Sequence, residues 1–146
     1  MSGEQRQNIS CGRFRIAVTA LALIASTSPA CAGANGMSPI SAAELLARIE
    51  AGNAPVILDV RSHSEFEHAH IPGALHVPFW AIAARASALP DSARQEIVVY
   101  CEHGPRAGLA KGALRLSGFP RVRYLAGHMA AWKRAGLPQE PGEARP

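Results

Sequence analysis

The sequence predicts an open α/β domain with a mostly parallel sheet. Two apolar runs, at residues 56–60 and 96–101, are continuous rather than alternating, which is typical of strands covered on both faces. Segments with helical periodicity separate these runs from two shorter strand patterns, so strands and helices alternate along the chain. In such sheets ligands lie beyond the carboxyl ends of the strands, and we expect a functional site at that edge.

Each element has recognisable boundary signals. Ser41 and Glu44 form a capping-box pattern at the start of a helix that runs to about Glu50, and a Gly-Asn-Ala-Pro sequence ends it. We expect strands over residues 56–60, 75–77, 96–101 and 121–125, and further helices over 64–68, 79–89, 106–117 and 128–135. Gly118 and Gly136 stand where C-terminal caps belong.

The first 32 residues are typical of a secretory signal peptide. Two arginines precede an apolar stretch at residues 16–25, and residues 30–32, Ala-Cys-Ala, fit a small-x-small cleavage site. A spanning helix needs about 20 residues, so the stretch is too short for one. A buried helix, a monotopic anchor and lipidation of Cys31 are the alternatives. We expect a periplasmic or secreted protein.

The composition argues for a globular domain and against nucleic-acid binding. The chain is 48% hydrophobic and 18% charged, which suits a protein with a real core. Its net charge is +4, but half of that excess lies in the leader. The other basic residues are scattered, without a run of five and without interleaved aromatic residues.

Cys101 is the one cysteine left once the leader is removed, so the mature chain has no partner for a disulfide within itself. Exported proteins usually carry even numbers of cysteines, which makes this thiol unusual. A buried structural cysteine is the alternative interpretation. The neighbouring residues favour a reactive thiol instead.

The segment after the third strand has the features of an anion cradle. The strand ends at Cys101, and a helix begins at Pro105 or Arg106, where proline suits the first turn. The sulfur then faces the N-terminus of this helix, whose free N–H groups and dipole favour a thiolate. Gly104 lets the backbone curl around the sulfur, and Arg106 adds a positive charge for an anionic substrate. An ordinary turn is the alternative.

Three motifs together resemble the single-domain rhodanese family. They are Cys-x-x-Gly-x-Arg at residues 101–106, Leu-Asp-Val-Arg at 58–61 and His-Ile-Pro-Gly-Ala at 70–74. The resemblance covers a domain at residues 38–137, which leaves the signal peptide at 1–32 and a loose tail at 138–146. It implies a rhodanese-like fold with a parallel sheet of about five strands and helices on both faces.

The resemblance also implies a reaction. Cys101 would take a sulfane sulfur from a donor such as thiosulfate, hold it as a persulfide, and pass it to cyanide, a small thiol or a protein thiol. Arg106 would bind the anion. The transferred sulfur would be cradled by the backbone of Glu102, His103, Gly104 and Pro105. Neither a cofactor nor a metal is implied.

Loop length separates sulfur transfer from phosphate chemistry. In the family that the sequence resembles, four residues between cysteine and arginine accompany sulfur transfer, whereas related phosphatases use five. This chain has four, and position 107 is alanine. A cysteine-dependent phosphatase or arsenate reductase is therefore disfavoured, while a sulfur-carrier or sensing module with little turnover remains an alternative.

Charged residues near the cysteine have further expected roles. Asp59 and Arg61 suit a supporting ion pair that clamps a loop. Glu102 places a negative charge beside the thiolate, which His103 would offset in part when protonated, so we expect thiosulfate to be a mediocre donor. Four histidines fall close together without regular ligand spacing or a cysteine among them, and we expect no metal there: His63, His68, His70 and His76.

Overall fold

Four parallel strands form the centre of the protein in a computed structural model, which describes residues 37–142. The predicted signal peptide lies outside the described residues. The strands are β1 (Val56–Asp59), β2 (Leu75–His76), β3 (Ile97–Tyr100) and β4 (Val122–Tyr124), in the order β2-β1-β3-β4. The α-helices are α1 (Ala42–Glu50), α2 (His63–His68), α3 (Ile82–Arg85), α4 (Pro105–Leu116) and α5 (His128–Arg134).

The two central strands are covered on both faces. Every residue of β3 is buried, and its side chains alternate between two apolar clusters on opposite sides of the sheet. Val99 and Cys101 belong to the cluster that includes Leu114 of α4. Val98 and Tyr100 belong to the other cluster. This burial explains why the strand sequence is continuously apolar rather than alternating.

The structure departs from the expected elements in two places. The place of a fifth strand is taken by a single parallel bridge between Ile40 and Leu125. The helix expected over residues 79–89 is broken into 3-10 turns at Phe79–Ala81 and Ala86–Ala88 with α3 between them. The N–H of Phe79 donates to the carbonyl of Val60, which holds the start of this segment on the end of β1.

Part of the expected loose tail is held against the domain. His70 and Glu140 exchange two backbone hydrogen bonds of 2.9 Å, and the indole of Trp132 donates to the carbonyl of Pro138 at 2.7 Å. Trp132 is fully buried, so this carbonyl satisfies a donor that would otherwise lack a partner. The last four residues of the expected tail lie outside the described part of the chain.

Within residues 37–142, no helix combines the length and apolar character needed to cross a bilayer.

Candidate active site

Cys101 follows directly on β3, at the carboxyl edge of the sheet, and only 1% of its surface is exposed. Its Sγ accepts a hydrogen bond from the N–H of Gly104 at 2.9 Å. Gly104 has φ of +125°, and a Cβ there would lie 3.2 Å from Nε2 of His128. Glycine therefore suits the backbone conformation, and a larger residue would also require the His128 ring to shift slightly. The loop folds back so that a backbone donor points at the sulfur.

The first turn of α5 orients the loop from outside. Met129 donates its N–H to the carbonyl of Cys101 at 3.0 Å, and Ala130 donates to that of Glu102 at 3.2 Å. These bonds satisfy two N–H groups that a helix leaves without internal partners. The loop is thus anchored through its carbonyl oxygens.

Arg106 lies in the first turn of α4, and its guanidinium is bound to a carboxylate. Its Nη1 and Nη2 donate to the two carboxylate oxygens of Glu65 at 2.6 and 2.9 Å. The hydrogen bonds from Arg106 hold the pKa of Glu65 well below its usual range, although burial opposes this, and Ser62 adds to the lowering. Arg106, the expected anion-binding side chain, thus ties α4 to α2, and its contact with an anion stays a prediction.

Glu102 has cationic partners that the sequence analysis did not identify. Its carboxylate accepts hydrogen bonds from Nη1 of Arg61 at 3.2 Å and from Nζ of Lys133 at 3.1 Å. Two cations thus compensate the negative charge that the sequence placed beside the sulfur. Of the other loop residues, His103 is exposed, and Pro105 is the first residue of α4.

Asp59 and Arg61 form a buried ion pair at the end of β1. Nη2 of Arg61 lies 2.6 Å from Oδ2 of Asp59 and donates to the carbonyl of Ala69 at 2.7 Å. Burial alone would lower the pKa of Arg61, but the hydrogen bond and charge of Asp59 outweigh it and raise that pKa. The charged guanidinium joins β1, the loop before β2 and, through Glu102, the cysteine loop.

The four clustered histidines have separate partners or positions. His70 Nδ1 lies 3.0 Å from the carbonyl of Phe66, His76 Nε2 lies 3.0 Å from that of Arg61, and His63 is on the surface. Among the described residues, no group of three or more histidine, cysteine, aspartate or glutamate side chains is arranged to hold a metal ion.

Two site residues escaped the sequence analysis. Glu65 has a sequence signal, because Ser62-x-x-Glu65 is a capping-box pattern, and the structure shows both of its hydrogen bonds. His128 has none that we recognise. It is the first residue of α5, has φ of +54°, and its ring packs on Gly104. Its Nδ1 is buried without a hydrogen-bond partner.

Known proteins share this sequence pattern. A family model described as "Rhodanese-like domain" matches residues 41–135. The chain is 36% identical to a sulfurtransferase of Allochromatium vinosum, over 57% of this chain and 76% of that protein. It is 31% identical to a putative sulfur carrier protein of Bacillus subtilis, over 68% and 52%, and 38% identical to an HTH-type transcriptional regulator of Mycobacterium tuberculosis, over 70% and 45%. The chain thus spans about half the length of the latter two relatives.

Solved structures share the fold. The Rhodanese-like domain of the Alr3790 protein from Anabaena sp. aligns with a TM-score of 0.63 at 36% identity, covering 70% of this chain and 77% of that chain. A rhodanese-related protein from Thermoplasma volcanium gives 0.61 at 25% identity, covering 73% and 100%. The predicted fold, a parallel sheet flanked by helices, is confirmed.

Proposed function

Because the chain belongs to the rhodanese-like domain family, we propose that it is an exported sulfurtransferase that carries a sulfane sulfur on Cys101. The observation that carries this proposal is the cysteine loop itself. Sγ lies at the end of a buried strand, accepts a backbone N–H, and is followed by a four-residue interval and an arginine. Relatives named sulfurtransferase and sulfur carrier support sulfur transfer as the general activity.

The proposed reaction has two displacement steps. The Cys101 thiolate attacks the outer sulfur of a donor such as thiosulfate. A Sγ–S bond forms, the S–S bond of the donor breaks, and sulfite leaves with the bonding electron pair. Cyanide or a thiolate then attacks the outer sulfur of the persulfide, and Cys101 leaves as a thiolate, ready for another cycle.

A carrier or sensing role is the second candidate. The names of two relatives favour it, since one is a putative sulfur carrier and another a transcriptional regulator. The near-complete burial of Cys101 also suits a persulfide that is kept rather than turned over rapidly. In this role Cys101 would form the persulfide, but steady-state formation of thiocyanate would be slow.

Mass spectrometry of the Cys101 peptide after thiosulfate treatment, together with thiocyanate formation from thiosulfate and cyanide, tests the proposal. We expect a mass gain of one sulfur atom and measurable turnover. Cys101→Ser should lose both while keeping its unfolding temperature, because serine has nearly the same size but is a poor sulfur acceptor. A gain of sulfur with negligible turnover would favour the carrier, and hydrolysis of aryl phosphate faster than sulfur transfer would refute both candidates.

Export is proposed from residues 1–32 alone. N-terminal sequencing of protein recovered outside the cytoplasm tests it. We expect the mature chain to begin near residue 33. A chain that keeps Cys11, or one found only in the cytoplasm, would contradict export, and a lipid on Cys31 would show the alternative processing route.

A further inference from the structure

His128 is placed beside the cysteine loop without a structural role that explains it. Its Nε2 would lie 3.2 Å from a Cβ on Gly104, and the N–H of Gly104 donates to Sγ of Cys101. The ring therefore borders the same loop segment that contacts the sulfur. Tyr124 of β4 makes an edge contact with the same ring, with 6.0 Å between the ring centres.

The backbone of His128 is in a conformation that favours glycine. Its φ of +54° makes it the one non-glycine residue with positive φ in the described part of the chain. Such a conformation is unfavourable for most side chains and concentrates at functional sites. Glycine would adopt it more easily, so the histidine at the start of α5 is a candidate for a role of its own.

The two ring nitrogens have different surroundings. Nδ1 is enclosed and has no hydrogen-bond partner. The neutral tautomer that can donate toward the loop is the one with its proton on Nε2. Burial, and then the neighbouring His103, lower the pKa of His128, which keeps the ring neutral near pH 7.

Both terminal nitrogens of Arg106 bind Glu65, while its positive charge also acts on Cys101. We propose that His128 supplies a further side-chain contact, donating a hydrogen bond from Nε2 to the anionic end of a sulfur donor such as thiosulfate held over Cys101. The proposal deepens the sulfurtransferase function and rests on it for the identity of the ligand. Binding of an anion at this place can be tested without sulfur transfer.

The matched variants are His128→Gln and His128→Met, which have similar lengths and the same backbone strain but differ in the N–H donor. Two alkylation rates of Cys101 are measured, one with iodoacetate, which is anionic, and one with iodoacetamide, which is neutral. The main readout is the iodoacetate rate divided by the iodoacetamide rate. We expect His128→Met to lower this ratio about fivefold and His128→Gln to keep it within about twofold, with the iodoacetamide rate unchanged in both variants. His68→Gln, at an exposed histidine of α2, should leave the ratio unchanged.

Equal alkylation ratios in His128→Gln and His128→Met would overturn the proposal. A loss of both alkylation rates together would also overturn it, because it would indicate that His128 has a structural role. If the Met variant does not fold, His128→Gly carries the test, because glycine suits the backbone, and it should show the same low ratio. Where wild-type protein transfers sulfur, the KM for thiosulfate should rise about fivefold in the Met variant. One further outcome is a wild type that transfers no sulfur while the alkylation ratio still depends on an N–H donor at position 128. That result would refute the proposed function and leave the anion contact established.

Discussion

At the scale of single residues, the Arg106–Glu65 ion pair predicts a pH-dependent contribution to stability. The folded state lowers the pKa of Glu65 below its ordinary value of 4.5. The stabilisation is therefore complete above that value and is lost as the pH falls below it. Glu65→Gln should lower the free energy of unfolding by about 1–2 kcal/mol at neutral pH, given a bidentate charged pair that is partly exposed. The difference from wild type should shrink toward about pH 3.

Urea unfolding of both proteins at several pH values measures this difference. Glu67→Gln is the matched control, because Glu67 lies in the same helix but is largely exposed and pairs only with the surface residue His63 among the side chains described. It should change stability by less than about 0.5 kcal/mol. A Glu65→Gln deficit that stays constant with pH would show that the carboxylate charge contributes nothing.

At the scale of an element, α5 depends on the glycine before it. Gly127 has φ of +69°, and a Cβ there would lie 2.5 Å from Cβ of Ala131. Gly127→Ala should destabilise the protein by about 2–4 kcal/mol, through backbone strain and the clash together. Gly136→Ala isolates the strain, since its φ is +63° with nothing within 4 Å, and should cost about 1 kcal/mol.

Thermal and urea unfolding of these variants, with the double variant Gly127→Ala/Ala131→Gly, completes the test. Removing the Ala131 methyl should recover part of the loss, so the two substitutions should not be additive. Because α5 holds the cysteine loop, Gly127→Ala should also slow alkylation or sulfur transfer at Cys101. Equal losses for Gly127→Ala and Gly136→Ala would mean that the clash is relieved by movement of α5.

At the scale of the whole molecule, the segment after α5 completes the fold. A chain of residues 37–137 lacks the Glu140 backbone pair with His70 and the acceptor for the buried Trp132 indole. It should unfold about 2–3 kcal/mol more easily than a chain of residues 37–142, chiefly because the indole N–H is left without a partner. Equal free energies of unfolding for the two chains would place the domain boundary at residue 137.

Local features of the site can be predicted from the sequence, whereas contacts between distant segments cannot. The strand that ends at Cys101, the glycine bend and the proline at the start of α4 all follow from neighbouring residues. Glu65, the partner of Arg106, lies 41 residues away along the chain. Sequence distance likewise hides the cations that compensate Glu102.

Conformation hides the remaining residues from sequence analysis. Nothing in the letters around His128 indicates a positive φ, because glycine is the usual signal for one. The segment at residues 79–89 has the apolar pattern of one helix. Its first N–H, however, donates to the carbonyl of Val60, directly after β1, and the segment is divided into three short helical turns. At residues 79–89, tertiary contacts thus override local propensity.

The bonds from α5 to the carbonyls of Cys101 and Glu102 have an electrostatic consequence. A trans peptide is planar, so turning a carbonyl toward α5 turns the N–H of the same peptide the opposite way. The N–H groups of Glu102 and His103 therefore point away from α5 as soon as the domain has folded. Their dipoles are preorganised, and an arriving anion has little reorganisation to drive. The preference of the loop for negative charge is thus built into the main chain. The Glu102 carboxylate is held by Arg61 and Lys133, so the exposed side chain of His103 is the one left to tune the choice of donor or partner.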